Sequence, residues 1–178
     1  MKRAEIEHLL PAVFRRAVPQ APGLLRGLLD AMETLHAHPD SVLGSLETFF
    51  DPRRAPDAFV PFLASWVDLD RFFDRSFGLH PQDEGLEPFS AGLGHLRELT
   101  GRAAYLSRWR GTRRGLVAFL ETATGITGFE VVEAPVEKAF HVQVRVPEAA
   151  RPHDALIQRI IQSEKPAYVT YDTEYFSA

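Results

Sequence analysis

Two histidines and two acids in the first third of the chain are the residues best suited to bind a metal ion. His36 and His38 precede Asp40, and Glu33 lies one helical turn before His36. A tetrahedral zinc site needs a complete set of such ligands, and no second cluster completes this one. The five other histidines stand singly along the chain. We therefore predict no metal site and interpret His36 and His38 as polar loop residues.

Three aspartates farther along, Asp68, Asp70 and Asp74, have the spacing of the first ligands in a calcium-binding loop. That loop requires glycine at its sixth position and glutamate at its twelfth. The sequence has Phe73 and Leu79 at those positions, and the pair of phenylalanines inside the loop indicates buried packing. A calcium site is therefore not predicted.

The sequence lacks the patterns that carry catalysis or bind nucleotides. There is no Gly-x-Ser-x-Gly, no Walker loop and no dinucleotide fingerprint, since Gly92-Leu-Gly94 has neither the third glycine nor a preceding strand. Without cysteine, thiolate catalysis and iron–sulfur clusters are excluded. Ser107 and His95 share a predicted helix but lie about 18 Å apart along it. We predict no catalytic residue, no cofactor and no enzymatic activity.

Composition narrows the classes of partner. The chain has 178 residues, 45% of them hydrophobic and 25% charged, which is ordinary for one globular domain or one domain with a small appendage. Its net charge is -4, whereas binders of nucleic acid or anionic membranes carry a basic surplus. No apolar run reaches the length of a membrane span. We therefore expect neither nucleic acid nor a membrane as partner.

Charge is unevenly distributed along the sequence, and the segment with the highest density of net charge is basic. Residues 97–114 contain six Arg and one Glu, a net charge of +5. Residues 57–87 before them carry -5, and residues 115–178 after them carry -4. A basic segment between two acidic ones indicates either pairing within the chain or a docking surface for another protein.

Part of this basic segment is the predicted partner interface. If Thr112 caps a helix, two arginines occupy the first turn, where each cation opposes the helix dipole by about 0.3–1 kcal/mol. An acidic partner would offset that cost. The alternative is that the arginines pair with Asp68, Asp70 or Asp74 of the same chain. The predicted interface residues are Arg108, Trp109, Arg110, Arg113 and Arg114.

Apolar residues at helical spacing predict helices over the first two-thirds of the chain. A stripe comprising Leu25, Leu28, Leu29, Met32 and Leu35 predicts a helix that Pro39 ends. A second helix follows Asp40-Ser41 and stops before Pro52. The third begins at Asp57, with Pro61 in its first turn. Its predicted inner face comprises Phe59, Phe62, Leu63, Trp66 and Val67.

Two further helices are predicted before the pattern changes. One covers about 93–109, and the next runs from a Thr112 cap to Gly125, which suits a left-handed helix end. The inner face of the second contains Leu116, Phe119, Leu120 and Ala123.

After Gly125 the hydrophobic period changes from 3.6 residues to 2, which predicts strands. The first lies near 129–131, and a hairpin link over 134–138 leads to the second, with Phe140, Val142, Val144 and Val146 on its dry face. A helix over about 153–164 and a strand over 169–175 complete the pattern. The predicted fold class is α+β, with a helical region over 1–125 followed by a small ββαβ unit over 126–178.

Three stretches of the chain resemble one protein family. They are residues 49–70, which begin Phe-Phe-Asp-Pro-Arg-Arg-Ala-Pro, residues 105–125 with the Arg-Gly-Thr signature before a helix, and residues 164–171 with Lys-Pro-Ala before the last strand. Together they resemble the phage tail protein I family, in the branch found with contractile phage tails and phage-tail-like contractile injection systems. The resemblance spans roughly residues 10–176.

The resemblance implies a structural subunit of the baseplate wedge. Such proteins join larger J-type wedge subunits into a ring around the spike and hub, usually in six wedges, and contact other baseplate and sheath-proximal proteins. No catalytic residues are known in the family, so none is carried over. Assembly in the bacterial cytoplasm is implied, followed by a place in the tail or injection-system particle. An adaptor of another complex, or an enzyme with an unrecognised site, remains as an alternative.

Overall fold

The computed structural model describes residues 2–18, 23–73, 89–133 and 139–177. Its elements are helices in the first part of the chain and a three-stranded sheet near the end, so the predicted α+β class is confirmed. The chain divides into two compact units, Met1–Thr48 and Phe49–Ala178. Each unit is described in turn.

The first unit is helical. It contains α1 (Arg3–Leu9), α2 (Ala12–Ala17) and α3 (Leu24–Gly44), and α4 (Leu46–Phe49) begins at its end. Helix α1 packs on α3, where Ile6 and Leu29 are buried. Arg3 joins the two helices, because its guanidinium donates to Glu7 at 2.8 Å and to Asp30 at 3.1 Å.

Helix α3 continues through Pro39, so the predicted helix end at that residue is wrong. A proline inside a helix removes the N–H that would bond to the carbonyl four residues earlier, here that of Leu35. Leu35 is 76% exposed, and Pro39 is exposed as well. Water can therefore bond to the freed carbonyl, and the helix survives the loss of one internal hydrogen bond.

In the second unit, a 3-10 turn (Asp57–Phe59) leads into α5 (Val60–Trp66), with Pro61 in the first turn as predicted. The predicted inner face of this helix is only partly right. Val60, Leu63 and Ala64 are buried, whereas Trp66 and Val67 are exposed. The residues of α5 itself are apolar on nearly every side of the helix. Hydrophobic spacing therefore does not show which side packs on the next helix.

That next helix is α6 (Leu93–Arg108), and α7 (Arg113–Thr124) packs against it. Both helices match their predicted ranges to within one residue at most ends. Gly125 ends α7 with a φ of 71°, the left-handed conformation expected there. The predicted core residues Leu116, Phe119, Leu120 and Ala123 are all buried.

A ββαβ arrangement completes the second unit. It consists of β1 (Glu130–Glu133), β2 (His141–Pro147), α8 (Asp154–Glu164) and β3 (Thr170–Phe176). The sheet order is β1-β2-β3, with β1 antiparallel and β3 parallel to β2. A 3-10 turn over Glu148–His153 starts the crossover, and α8 buries Leu156, Ile157, Ile160 and Ile161 against the sheet side. The predicted hairpin link over 134–138 lies outside the described residues.

Phe140 does not belong to the dry face of β2, contrary to the prediction. Its φ is 56°, and 66% of the residue is exposed. A residue with positive φ leaves the extended conformation, so its side chain escapes the alternation that β2 starts at His141. The Phe140 ring instead meets the exposed ring of Tyr168 edge-on, with centroids 5.3 Å apart.

One hydrophobic core connects the helices α5 to α8 with the sheet. The rings of Phe72 and Phe119, for example, lie 5.1 Å apart between the turn after α5 and helix α7. The predicted boundary at residues 125 and 126 falls inside this second unit. A separate helical region over 1–125 and ββαβ unit over 126–178 therefore stay a prediction.

Tyr175 on β3 makes a pH-dependent contribution to stability. Burial raises the pKa of Tyr175 to about 12, and the hydrogen bond that its hydroxyl donates to Asp154 acts in the same direction. The contribution is complete below pH 10, where the phenol is neutral in both states. It is lost as the pH rises from about 10 to 12, because there the unfolded chain ionises first.

We therefore expect the Tyr175→Phe variant to lose less stability than the wild type between pH 9.5 and 11.5 in urea-unfolding experiments. Tyr168→Phe is the control, because it removes an exposed phenol without touching Asp154. Parallel pH profiles for Tyr175→Phe and the wild type would contradict the assignment.

Candidate functional site

The predicted interface residues lie where α6 turns into α7, and residues 108–114 are called the arginine corner here. Gly111 has a φ of 75°, which permits the tight reversal between the helices. Thr112 then caps α7, because its hydroxyl oxygen accepts from the Gly115 N–H at 3.1 Å. The same hydroxyl donates to the carbonyl of Trp109 at 2.7 Å. The predicted cap is confirmed, and it places Arg113 and Arg114 in the first turn.

Gly115 makes this corner compact, and sequence reasoning missed it. A Cβ on Gly115 would overlap the carbonyl oxygen of Trp109 and lie 2.6 Å from the carbonyl carbon. Backbone therefore packs directly on backbone where α7 leaves the corner. The available signal was a glycine inside a helix, which is unfavourable unless close approach requires it.

Arg110 turns into its own chain. Its guanidinium donates to the carbonyl of Ser163 at 3.1 Å and lies 3.6 Å from the carboxylate of Glu164 and 4.0 Å from that of Asp68. Asp68 follows α5 with a φ of 62°, a left-handed conformation that aspartate tolerates better than most residues. For this arginine the structure thus provides the same-chain aspartate that the alternative prediction named.

Glu164 is the centre of the charge network that includes Arg110. Glu164 is 5% exposed and accepts from Arg71 at 2.6 Å, while Arg71 also contacts Asp68. Burial lowers the pKa of the Arg71 guanidinium, and the Glu164 carboxylate opposes that shift. The Arg71 Nε is buried with no hydrogen-bond partner in the described part of the chain. Neither Arg71 nor Glu164 was predicted as a site residue, since their pairing joins positions 93 residues apart.

The other arginines of the corner are exposed to solvent. Arg114 stacks over the Trp109 ring, with its Cζ 4.8 Å from the ring centroid, and lies 5.9 Å from that of Tyr105. Arg108 and Arg113 are exposed and make no side-chain hydrogen bond or ion pair to any residue that the structure describes. Among the described residues, the corner therefore presents two cations without a partner and one cation held by an aromatic ring.

A shallow groove of about 280 Å³ begins beside Arg113. Its apolar lining comes from α7, β1, β2 and the segment before β3. Arg113 and Lys165 add positive charge, and Glu133 and Glu164 add negative charge. The exposed rings of Phe140 and Tyr168 also border it. Within the described ranges, no group of three His, Asp or Glu side chains is placed to hold a metal. The apolar lining suits binding of a protein side chain or segment.

Comparison with known proteins supplies the family. A family model described as phage tail protein (Tail_P2_I) matches residues 19–168. The chain belongs to the phage tail protein I family. The match contains the arginine corner and the residues 49–70 that carried the resemblance, and it reaches into the third stretch. A search of curated proteins found no match.

Family membership points to a structural role in a phage tail, which is a role without catalysis. Other tail proteins are therefore the partners of this tail protein. None of the helices in the described ranges has both the length and the apolar character needed to cross a membrane.

The first unit of this tail protein has a second exposed surface, the apolar side of α3. Leu24 is 94% exposed, Leu28 57% and Leu35 76%, at spacings of four and seven residues. The sequence placed Leu28 and Leu35 in a single buried stripe with Leu29, but only Leu29 is buried. Leucines on one side of a helix that stay in water are typical of a surface that another protein covers.

Proposed function

We propose that this tail protein is a baseplate wedge subunit that links J-type wedge subunits into the baseplate ring of a contractile tail or injection system. The observation that carries the proposal is the family match over residues 19–168. About six copies of the wedge per particle, hub and sheath-proximal neighbours, and assembly in the bacterial cytoplasm belong to the same proposal.

The arginine corner supports the choice of interface. Arg108 and Arg113 are exposed without a described partner, and Arg114 is displayed on an aromatic ring. Arg113 and Arg114 lie at the start of α7 and gain nothing from the helix dipole, whereas Arg108 ends α6. For the two cations of α7, an acidic surface on another protein is the natural counterpart. We include Trp109 and Arg110 in the proposed interface because both flank these cations, although Arg110 also contacts Glu164.

Co-purification tests this function directly. The tail protein, carrying a tag and expressed from its own locus, is purified from cells that are producing particles, and the captured proteins are identified by mass spectrometry. We expect a J-type wedge subunit and other baseplate proteins in near-equal amounts. Recovery of the tagged protein without any baseplate protein, or capture of proteins unrelated to a tail, would contradict the wedge assignment.

Reversing the charge of Arg113 should separate assembly from folding. In the Arg113→Glu variant, we expect the isolated chain to keep its free energy of unfolding or gain roughly 1 kcal/mol, because the helix dipole favours an acid there. Binding of the wedge partner should weaken at least about tenfold, since like charges at an interface cost several kcal/mol. Thermal unfolding and quantitative pull-down measure the two effects.

Two matched variants sharpen the result. Arg54→Glu makes the same change in net charge at an exposed position outside the corner and should leave partner binding intact. Arg110→Glu should destabilise the isolated chain, because it replaces a cation beside the buried Glu164 carboxylate with an acid. Normal partner binding by Arg113→Glu would remove this residue from the interface.

A further inference from the structure

One edge of the sheet in the second unit has unused hydrogen-bonding groups. Thr170 donates its N–H to the carbonyl of Phe140 at 2.9 Å, so the backbone groups of Thr170 point toward β2. The backbone groups of alternate residues in a strand point the same way. The backbone groups of Tyr171, Thr173 and Tyr175 therefore point away from β2, toward the opposite edge of β3. In the parts of the chain that the structure describes, no strand pairs with that side of β3. Three N–H groups and three carbonyls form this free edge.

The free edge is long and regular. The pairing of β3 with β2 runs over seven residues without a bulge. Within Thr170–Phe176 there is no proline, lysine or glycine. Proteins usually protect an open edge with such residues, with a bulge or with a short strand, because an unprotected edge is a template for another strand. This edge carries acidic side chains as its main protection.

The acidic side chains determine which strand can pair there. Asp172 and Glu174 project on the solvent side of the sheet. Asp172 lies 3.1 Å from the His141 Nε2 and Glu174 lies 3.6 Å from the Arg145 Nε, yet 68% and 53% of their side chains stay exposed. An antiparallel pairing of two copies centred on Thr173 would set Asp172 opposite Glu174 twice. Like charges directly opposite each other destabilise a strand pair. A second copy of this chain is therefore a poor occupant, and a strand with basic residues is a good one.

We propose that the free edge of β3 binds an extended segment of another protein by adding it to the sheet, and that this segment alternates basic and apolar residues. Its basic residues would lie beside Asp172 and Glu174. Its apolar residues would lie on the opposite face of the sheet, next to the half-buried rings of Tyr171 and Tyr175. This contact is separate from the arginine corner and does not depend on the wedge assignment.

A synthetic peptide tests the chemistry without the natural partner. The probe is a nine-residue peptide that alternates valine and arginine, and the reference peptide has the same composition with its arginines consecutive. We expect the alternating peptide to bind at least about tenfold more tightly than the reference. In amide hydrogen exchange, binding should slow the Tyr171, Thr173 and Tyr175 amides about tenfold or more. The Asp172 and Glu174 amides already bond to β2 and should change little.

Thr173 allows a matched pair of variants. Its N–H points to the free edge, so Thr173→Pro removes no bond to β2 and is tolerable at an edge position. Thr173→Val keeps the N–H. Both variants lose the hydrogen bond that the Thr173 hydroxyl accepts from Gln158 at 3.2 Å. We expect at least about tenfold weaker peptide binding for Thr173→Pro and wild-type binding for Thr173→Val.

Other results would overturn the proposal. Equal binding of the two peptides, or wild-type binding by Thr173→Pro, would mean charge attraction without strand addition. Dimerisation of the free chain that Thr173→Pro abolishes would make a second copy the occupant. If the Asp172 and Glu174 amides exchange faster in Thr173→Pro, the substitution has disturbed the pairing of β3 with β2. Peptides with N-methyl groups at alternate residues then replace this variant as the test. Strand addition requires that one of the two N-methyl patterns abolishes binding, and retained binding by both contradicts it.

Discussion

Replacing Glu164 with glutamine should lower the free energy of unfolding of this tail protein by about 3 kcal/mol. Glu164 is 5% exposed and is the carboxylate that neutralises Arg71 and approaches Arg110. Removing one partner of a buried ion pair typically costs 3–5 kcal/mol, because the other charge stays desolvated and unpaired. Arg71 keeps its contact with Asp68, and both arginines keep part of their hydration, which places the expected loss at the lower end.

The same substitution at an exposed ion pair is the control. Glu148 contacts Arg151 on the surface, with 47% of the Glu148 side chain exposed. Solvent screens an exposed pair of this kind, so Glu148→Gln should be nearly neutral. Urea unfolding of both variants measures the difference. A loss below about 1 kcal/mol for Glu164→Gln would mean that solvent screens the network as it screens the surface pair.

A double variant tests the cause of that loss. Replacing Glu164 with Leu and Arg71 with Met together removes both charges from the interior. If the penalty arises from an unpaired buried charge, the double variant should be more stable than Glu164→Gln. A double variant less stable than the single one would place the stabilisation in the ion pair itself.

The charge pattern of the sequence allowed two interpretations, pairing within the chain and docking of another protein. Different arginines of the basic segment fit each of them. Arg97 pairs with Asp57, and Arg110 approaches Asp68, so part of the basic segment is neutralised by the acidic segment before it. Arg108 and Arg113 have no described partner of that kind. Sequence separation of about 40 residues gives no information about which arginine meets which acid. Only the packing of α6 on α5 determines it.

Local signals predicted the second unit well. Thr112 as a cap, Gly125 as a left-handed end and the four predicted core residues of α7 depend on short-range geometry, which a sequence contains in full. The parallel strands follow from one helix lying between them.

The features that the sequence did not predict depend on tertiary contacts. Pro39 stays inside α3 because the helix side is wet, and α5 turns a different side inward because it is apolar all round. Phe140 leaves its strand through a positive φ that no neighbouring residue announces. For the candidate site, sequence placed the arginine corner at the start of α7, but the Arg71–Glu164 contact needed the three-dimensional arrangement.

Replacing Gly115 with alanine should be as disruptive as losing Glu164. The new Cβ would overlap the carbonyl oxygen of Trp109 and lie 3.0 Å from the Trp109 Cβ. Backbone atoms cannot swing away as a flexible side chain can, so α7 must shift or its first turn must open. Overpacking of this kind costs typically 1–3 kcal/mol and occasionally more, and contact with backbone places this case at the upper end.

Gly101 is the matched control, because it is also a glycine inside a helix. It lies in α6, is exposed, and a Cβ there would meet no atom within 4 Å. Gly101→Ala should therefore stabilise the chain by about 0.5–1 kcal/mol, through the loss of freedom in the unfolded state. The two alanine substitutions should thus change the free energy of unfolding in opposite directions. Urea unfolding of the isolated chain measures both changes, and no partner protein is needed.

The Gly115 variant also connects folding with the arginine corner. A shift of α7 moves Arg113, and it moves Arg114 relative to the Trp109 ring on which Arg114 stacks. For Gly115→Ala we therefore expect weaker partner capture even at temperatures where the chain is folded, in contrast to Gly101→Ala, which should bind normally. If Gly115→Ala matched the wild type in both stability and capture, the close approach of α7 to Trp109 would have no energetic role. The Thr112 cap and the contacts of Arg110 would then hold the corner.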